Sequence, residues 1–236
     1  MTVTIIRTRA PRRRSGWLAV AGLLLLSLIP VLGGAFRLTD LTGGVVTTDN
    51  ARFFASPIPV VAHIVGATVY TLLGAFQFVP ALRGRRAWHR IAGGILIPAG
   101  LVAAVSGLWM AAFYSSPDGD SPLLMGIRLA FGSAMVASII LGILAIKRRN
   151  FAAHGAWMTR AYALGIAAGT QAVVLAIWII GVGPVSSFTE ALLMGAAWVI
   201  NAGVGELVIL HRKSGSSKLS GLSSSKPAEL AEASQT

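Results

Sequence analysis

The chain has 236 residues, of which 55% are hydrophobic and only 12% are charged, with a mean hydropathy of +0.73. Soluble domains carry about 25% charged residues, so this composition excludes an ordinary soluble protein. The absence of cysteine excludes disulfides, thiolate metal sites and iron–sulfur clusters, and leaves the four histidines as the strong ligands for haem or a soft metal.

Six apolar stretches follow one another along the chain, each long enough to cross a bilayer as a helix of about 20 residues. The alternating polarity of barrel strands is absent, so the sequence predicts an all-α bundle. The predicted spans cover residues 17–36, 58–80, 91–114, 122–146, 161–183 and 187–210. They form one membrane domain over 16–212, between a basic arm at 1–15 and a Ser-rich tail at 213–236 for which we predict disorder.

The sequence supports two predictions about the first span. Its apolar run is longer than the core of a cleaved signal peptide, so we interpret it as a retained signal anchor. Pro30 and Arg37 are expected to end it. Residues 37–57 would then form one long irregular loop, and 147–160 a basic loop before the fifth span.

The basic residues are distributed unevenly between the two predicted faces. Seventeen of the twenty Lys and Arg fall in the arm, the 81–90 loop, the 147–160 segment and the C-terminal part of the chain from Arg212 onward. This positive-inside pattern predicts that both termini are cytoplasmic. It also explains the net charge of +12 without a nucleic-acid partner. Anionic lipid is the partner expected at this face, because each basic residue near the surface contributes about 1 kcal/mol.

Polar residues inside the predicted spans define a candidate pocket. In the second span His63, Tyr70 and Gln77 recur every seven residues and share one helix face. His63 and Arg128 are predicted near the outer end, with Glu190 able to neutralise the arginine. Further polar positions within the spans are Gln171 and Asn201. Two interpretations stay open: an outward-opening pocket for a proton, quinone or small ligand, or hydrogen bonds and ion pairs that only hold the helices together.

Three histidines, His89, His154 and His211, fall at the predicted cytoplasmic rim. Imidazoles at one level can bind a metal or the edge of a haem. Histidine beside tryptophan and basic residues is also typical of an interfacial belt. His89 and His154 are the candidate pair for haem or metal.

The segments "HIVGATVYTLLGAFQFVPALRGRRAWHRIAGG" and "HGAWMTRAYALGIAAGTQ" resemble a bacterial family of predicted integral-membrane proteins, DUF2306, and within it an actinobacterial branch. The resemblance covers roughly residues 50–212. The motif positions are His63, Gln77, Phe78, His89, Arg90, His154, Trp157, Met158 and Arg160. The resemblance implies a multi-pass protein of the bacterial plasma membrane and transfers no established chemistry.

A weaker resemblance is to cytochrome b561-like and ferric-reductase-like bundles, which hold haem b between histidines. Two haems would need a histidine pair at each level, and only His63 lies at the outer one, so a two-haem chain is not supported. Three functions stay open: a redox protein that binds haem or quinone, a small-molecule or proton-coupled transporter, and a non-catalytic scaffold or accessory subunit. Hydrolase chemistry is not expected, because the sequence has neither a Ser–His–acid set nor a phosphate-binding glycine loop.

Overall fold

The computed structural model describes residues 15–79, 86–115 and 121–232, and its description of side chains ends at Ser214. Every regular element within these ranges is helical. Six of the helical segments are long and apolar enough to cross a membrane, which confirms the predicted six-span, all-α architecture. The predicted basic arm, up to residue 14, and the first half of the predicted 81–90 loop fall outside the described residues, and residues 86–90 are helical.

The helices in chain order are α1 (Ser15–Gly43), α2 (Ala51–Ala55), α3 (Pro57–Ala75), α4 (Arg86–Phe113), α5 (Pro122–Lys147), α6 (Phe151–Gly165), α7 (Ala167–Gly181) and α8 (Ser187–Glu232). A 3-10 turn, Phe76–Phe78, continues α3. The fifth span consists of α6 and α7 together, joined at Ile166.

Four of these helices form a ring. Helix α3 packs on α4, α4 on α5, α5 on α6, and α6 returns to α3, so α4 and α6 are diagonally opposed. Helix α8 packs outside the ring against α5, α6 and α7, and α1 packs against α3 and α7. The ring centre is filled by buried side chains that include Tyr70, Ile139, Tyr162 and Leu164. We call the end where α3 finishes and α4 begins the termini face, and the other end the loop face.

Helix α1 is longer than its predicted span. Pro30 lies inside it, and the helix continues through Arg37 to Gly43, so the expectation that these two residues end the helix is wrong. Arg37 Nη1 lies 2.7 Å from Asp40 Oδ2, one turn later on the same helix. This pairing offsets both charges and lets the helix extend beyond its apolar part. The predicted loop at 37–57 is thereby reduced to residues 44–50 and the short α2.

The fifth span also differs from its prediction. Its first helix begins at Phe151, not 161, so the predicted loop at 147–160 is a tight turn followed by helix. Asn150 caps the helix by accepting a hydrogen bond from the Ala153 amide at 3.0 Å. Polar side chains interrupt the apolar run here, which is why hydropathy alone placed the span too late.

The last helix continues past the membrane domain. Its backbone remains helical to Glu232, through the range for which the sequence predicts a disordered tail. The Ser-rich sequence has no apolar period there. The sixth span itself covers Ser187–Ser214.

Candidate functional site

Two cavities enter the four-helix ring, one at each face. The termini-face cavity has a volume of about 1620 Å³ and the loop-face cavity one of about 590 Å³. Both lie between helices rather than on the outer surface, and Tyr70 lines both of them. The polar residues predicted from the sequence divide between these two cavities, with few exceptions.

His89 and His154 line the same termini-face cavity. Each stands in the first turn of its helix, α4 or α6, and these helices oppose each other across the ring. His89 Nδ1 is 2.6 Å from Gln77 Oε1, and His154 Nδ1 is 2.9 Å from the Gly142 carbonyl oxygen. The structure thus brings together two of the three rim histidines.

The contact with the Gly142 carbonyl oxygen assigns the tautomer of His154, and the contact with Gln77 Oε1 indicates the same tautomer for His89. The partner oxygen in each case is an acceptor, so Nδ1 carries the proton and donates it. The lone pair is then on Nε2, the form in which a neutral histidine ligates a metal. A hydrogen bond from Nδ1 to an oxygen is also the usual second interaction of a ligating histidine, since it fixes the ring orientation and raises the basicity of the ligand.

Basic side chains surround the mouth of the termini-face cavity. They are Arg90, Arg160, Arg212 and Lys213. Arg160 forms a two-point ion pair with Glu206 of α8, with Nε–Oε1 at 2.5 Å and Nη2–Oε2 at 3.0 Å. Its guanidinium also lies 4.5 Å from the Trp157 ring centroid. Arg212 donates to Thr159 Oγ1 at 3.2 Å and faces the Phe78 ring. The mouth is therefore cationic and held by cross-helix contacts.

The interior of this cavity is mostly apolar. Its walls include Leu96, Ile97, Ile139 and Ile209. Gly93, one turn after His89, also lines it, and a methyl group placed there would meet no atom within 4 Å. Met158 packs against Gly142 of α5, which leaves room for the thioether. A flat group could lie beside His89 without meeting a side chain from Gly93.

The loop-face cavity contains the predicted outer polar residues. It is lined by His63, Arg128, Gln171 and Glu190, which come from four different helices. His63 Nδ1 lies 2.8 Å from the Ala103 carbonyl oxygen, so this histidine also carries its lone pair on Nε2. Gln171 Nε2 makes a long hydrogen bond of 3.4 Å to the Met194 carbonyl oxygen. The cavity wall also carries the stacked rings of Phe131 and Trp198, 5.2 Å apart.

Tyr114 marks the mouth of the loop-face cavity. Its hydroxyl donates to the Ser56 carbonyl oxygen at 2.6 Å, which joins the end of α4 to the start of α3. Partial burial raises the pKa of this hydroxyl above its ordinary value, against the opposing effect of nearby Arg52. Tyr114 therefore stays protonated and keeps this contact at neutral pH.

Tyr70 lies between the two cavities. Its ring fits between two glycines: a methyl group on Gly100 would lie 2.6 Å from Tyr70 Cε2, and one on Gly165 would lie 2.7 Å from Tyr70 Cε1. Only 5% of the residue is exposed. The neighbouring Tyr162 ring, at 5.8 Å, donates its hydroxyl to the Thr71 carbonyl oxygen at 2.8 Å. The two tyrosines thus separate the cavities at mid-bundle.

Two of the predicted polar residues lie outside both cavities. Asn201 donates to Thr170 Oγ1 at 2.7 Å and to the Ala197 carbonyl oxygen at 2.8 Å, which holds α7 to α8. His211 is exposed and bonds only within its own helix, at 2.8 Å from the Leu207 carbonyl oxygen. Asn201 fits the interpretation as a packing residue, and His211 is separated from the other two rim histidines.

Three residues of the termini-face cavity or its rim were missed by the sequence analysis: Glu206, Tyr162 and Arg212. Glu206 is five residues beyond Asn201 and so falls off the helical face traced through Glu190 and Asn201. A search for an acidic partner of Arg160 would have found it. Among the described residues, no group of three or more His, Asp or Glu is placed to hold a metal ion.

Comparison with known protein families identifies the family of this chain. The family model described as "Predicted membrane protein (DUF2306)" matches residues 60–209, which is more than half of the chain and includes both cavity histidines. No curated protein sequence matches the chain. No solved structure matches it either.

Proposed function

The chain belongs to the DUF2306 family of predicted membrane proteins, and for this member we propose a redox function based on a b-type haem held in the termini-face cavity. His89 and His154 would hold its iron. The observation that carries the proposal is that both histidines begin diagonally opposed helices, line one cavity and donate from Nδ1. A bound haem would supply one-electron transfer, with a potential set by its ligands and surroundings.

The donor set and the cavity both suit this group. Two imidazoles with the lone pair on Nε2 are the ligands of a bis-histidine haem. The apolar interior matches a porphyrin, and the arginines and lysine at the mouth match its two propionates. Gly93 adds space next to one ligand. The charge of Arg160 is offset by Glu206, so the other basic residues at the mouth are the better partners for a propionate.

The test is a spectrum of the purified full-length protein. After expression with added haem precursor and extraction in mild detergent, a reduced-minus-oxidised spectrum should show the sharp α and Soret bands of a b-type cytochrome. The haem content should approach one per chain. A flat difference spectrum from folded, monodisperse protein would remove the proposal.

A second function, transport, is favoured by a different observation. The two cavities open at opposite faces and share a single wall residue, Tyr70, as expected if a ligand site were reached alternately from each side. In that case the binding site for the transported solute would lie near Tyr70. Substitution of Tyr70 should then abolish transport of that solute into proteoliposomes. A haem signal with no such flux would favour the redox function.

We also propose the location and lipid contacts of the protein. The proposed location is a bacterial plasma membrane, and the pattern of basic residues supports an orientation with both termini in the cytoplasm. Lys147, Arg148 and Arg149 are exposed at the termini face and suit anionic headgroups. Vesicle flotation with and without anionic lipid would test this contact, which should weaken with rising salt.

A further inference from the structure

The loop-face cavity has the size and composition of a small-molecule site. Its volume of about 590 Å³ falls within the roughly 300–1,000 Å³ typical of such sites. Apolar and aromatic walls, including the Phe131–Trp198 pair, surround a few polar groups from separate helices. This site is distinct from the termini-face cavity and does not depend on the redox proposal.

Tyr70 supplies a second observation that points to a ligand. Its side chain is more than nine-tenths buried, yet its hydroxyl has no hydrogen-bond partner among residues 15–79, 86–115 and 121–232. The hydroxyl oxygen is not among the fully buried polar atoms that lack a partner, so it is open to the cavity and can form a hydrogen bond with a group placed there. Gly100 and Gly165 clamp the ring on two sides, so the side chain cannot turn away to find one. The hydroxyl is therefore held at the cavity boundary with its hydrogen-bonding capacity unused.

The other polar groups restrict the chemistry of that ligand. His63 carries a lone pair on Nε2, which has no partner among the described residues and can accept a hydrogen bond. Arg128 and Glu190 line the same cavity with opposite charges, so the lining does not select strongly for an anion. A flat, neutral ring with oxygens that accept or donate fits both the aromatic wall and these groups.

We propose that the loop-face cavity binds a quinone-type ligand, with the Tyr70 hydroxyl donating to one carbonyl oxygen. In the reduced ligand the corresponding hydroxyl can donate to the Tyr70 oxygen, so both oxidation states find a partner there. The proposal concerns binding only.

The test uses duroquinone as the probe and durene, the same ring without oxygens, as competitor. The parent protein for this test is the full chain with His89→Ala and His154→Ala, so that bound haem does not interfere with the fluorescence. The quinone proposal can then fail or succeed independently of the haem proposal. Quenching of tryptophan fluorescence by duroquinone should saturate, and the saturable part should disappear in Trp198→Phe. Tyr70→Phe should weaken binding about five- to tenfold, the loss expected for one hydrogen bond, and His63→Ala should also weaken it.

Tyr162→Phe is the matched control, since its hydroxyl is bonded to Thr71 and faces the other cavity. This variant should bind duroquinone like the parent. The proposal is overturned if quenching does not saturate, if Tyr70→Phe binds as tightly as the parent, or if durene displaces duroquinone with equal affinity. The last result would mean an apolar cavity that does not recognise oxygen.

Discussion

Tyr70 and Tyr162 are neighbours in the same core but differ in one hydrogen bond. Tyr162 donates to the Thr71 carbonyl oxygen, whereas the Tyr70 hydroxyl is open to a cavity and has no partner among the described residues. Removing a satisfied buried hydroxyl loses about 1 kcal/mol, and removing an unsatisfied one does not. We therefore expect Tyr162→Phe to lower the melting temperature by roughly 2–4 °C and Tyr70→Phe to leave it unchanged or raise it.

The measurement is thermal unfolding in detergent, without added ligand. The two substitutions remove the same atom from rings in contact, so each controls for the other. A larger loss for Tyr70→Phe than for Tyr162→Phe would contradict the hydrogen-bond assignment.

Gly100 and Gly165 provide the space that the Tyr70 ring occupies. Alanine at either position would collide with the ring, and overpacking of this kind costs about 1–3 kcal/mol. Gly94 on α4 and Gly155 on α6 are the controls, because a methyl group there would meet nothing within 4 Å. In an exposed helical position Gly→Ala is neutral or stabilising by up to about 1 kcal/mol. Melting temperatures should fall for Gly100→Ala and Gly165→Ala only; equal effects at all four sites would rule out the clamp.

At the scale of the helices, hydropathy correctly predicted the number and order of the spans. It placed the end of α1 and the start of α6 wrongly, because polar residues near these ends were taken as loop. A run of lipid-compatible residues is readable in sequence because the bilayer imposes its length. The start of α6 was missed because its polar side chains face a cavity inside the protein, which hydropathy cannot distinguish from a loop. Likewise Arg37 and Asp40 extend α1 by pairing with each other. Ends depend on such pairings, and single-residue polarity does not reveal them.

The turn between α5 and α6 offers a test of a local backbone feature. Asn150 N–H bonds to the Ala145 carbonyl oxygen and Arg149 N–H to that of Ile146, the pattern of a Schellman helix end. Arg149 occupies the left-handed position, with φ of 57°, where glycine is usual.

Arg149→Gly should therefore stabilise the protein by about 1 kcal/mol, while Arg148→Gly, at the preceding residue with negative φ, should destabilise it slightly. Both remove one positive charge from the same turn, so charge effects cancel in the comparison. Chemical or thermal unfolding of the two variants measures the difference. Equal stability would show that the left-handed conformation carries no strain here.

At the scale of the whole molecule, an even number of spans predicts that both ends of the chain lie on one side of the membrane, and the charge pattern predicts that this side is cytoplasmic. The chain has no cysteine, so single-cysteine variants report orientation directly. In intact cells a membrane-impermeant maleimide should label Ser115→Cys at the loop face and leave Ser214→Cys unlabelled until the membrane is permeabilised. The reverse pattern would invert the topology.

The candidate site was only partly readable from the sequence. The motif residues marked His89 and His154, but their shared cavity depends on α4 and α6 standing diagonally in the ring, which spacing along the chain does not encode. The ion pair between Arg160 and Glu206 joins residues 46 positions apart on different helices. The periodicity of residues within one span gives no information about which residues of two different spans will pair.

The most direct test of the central claim is the haem content of four histidine variants, purified after expression with added haem precursor. His89→Ala and His154→Ala should each lose the Soret band of the bound haem. His63→Ala, in the other cavity, and His211→Ala, exposed on α8, should retain it at about the parental level. Parental haem content in either of the first two variants, or equal loss in all four folded proteins, would contradict a haem held between His89 and His154.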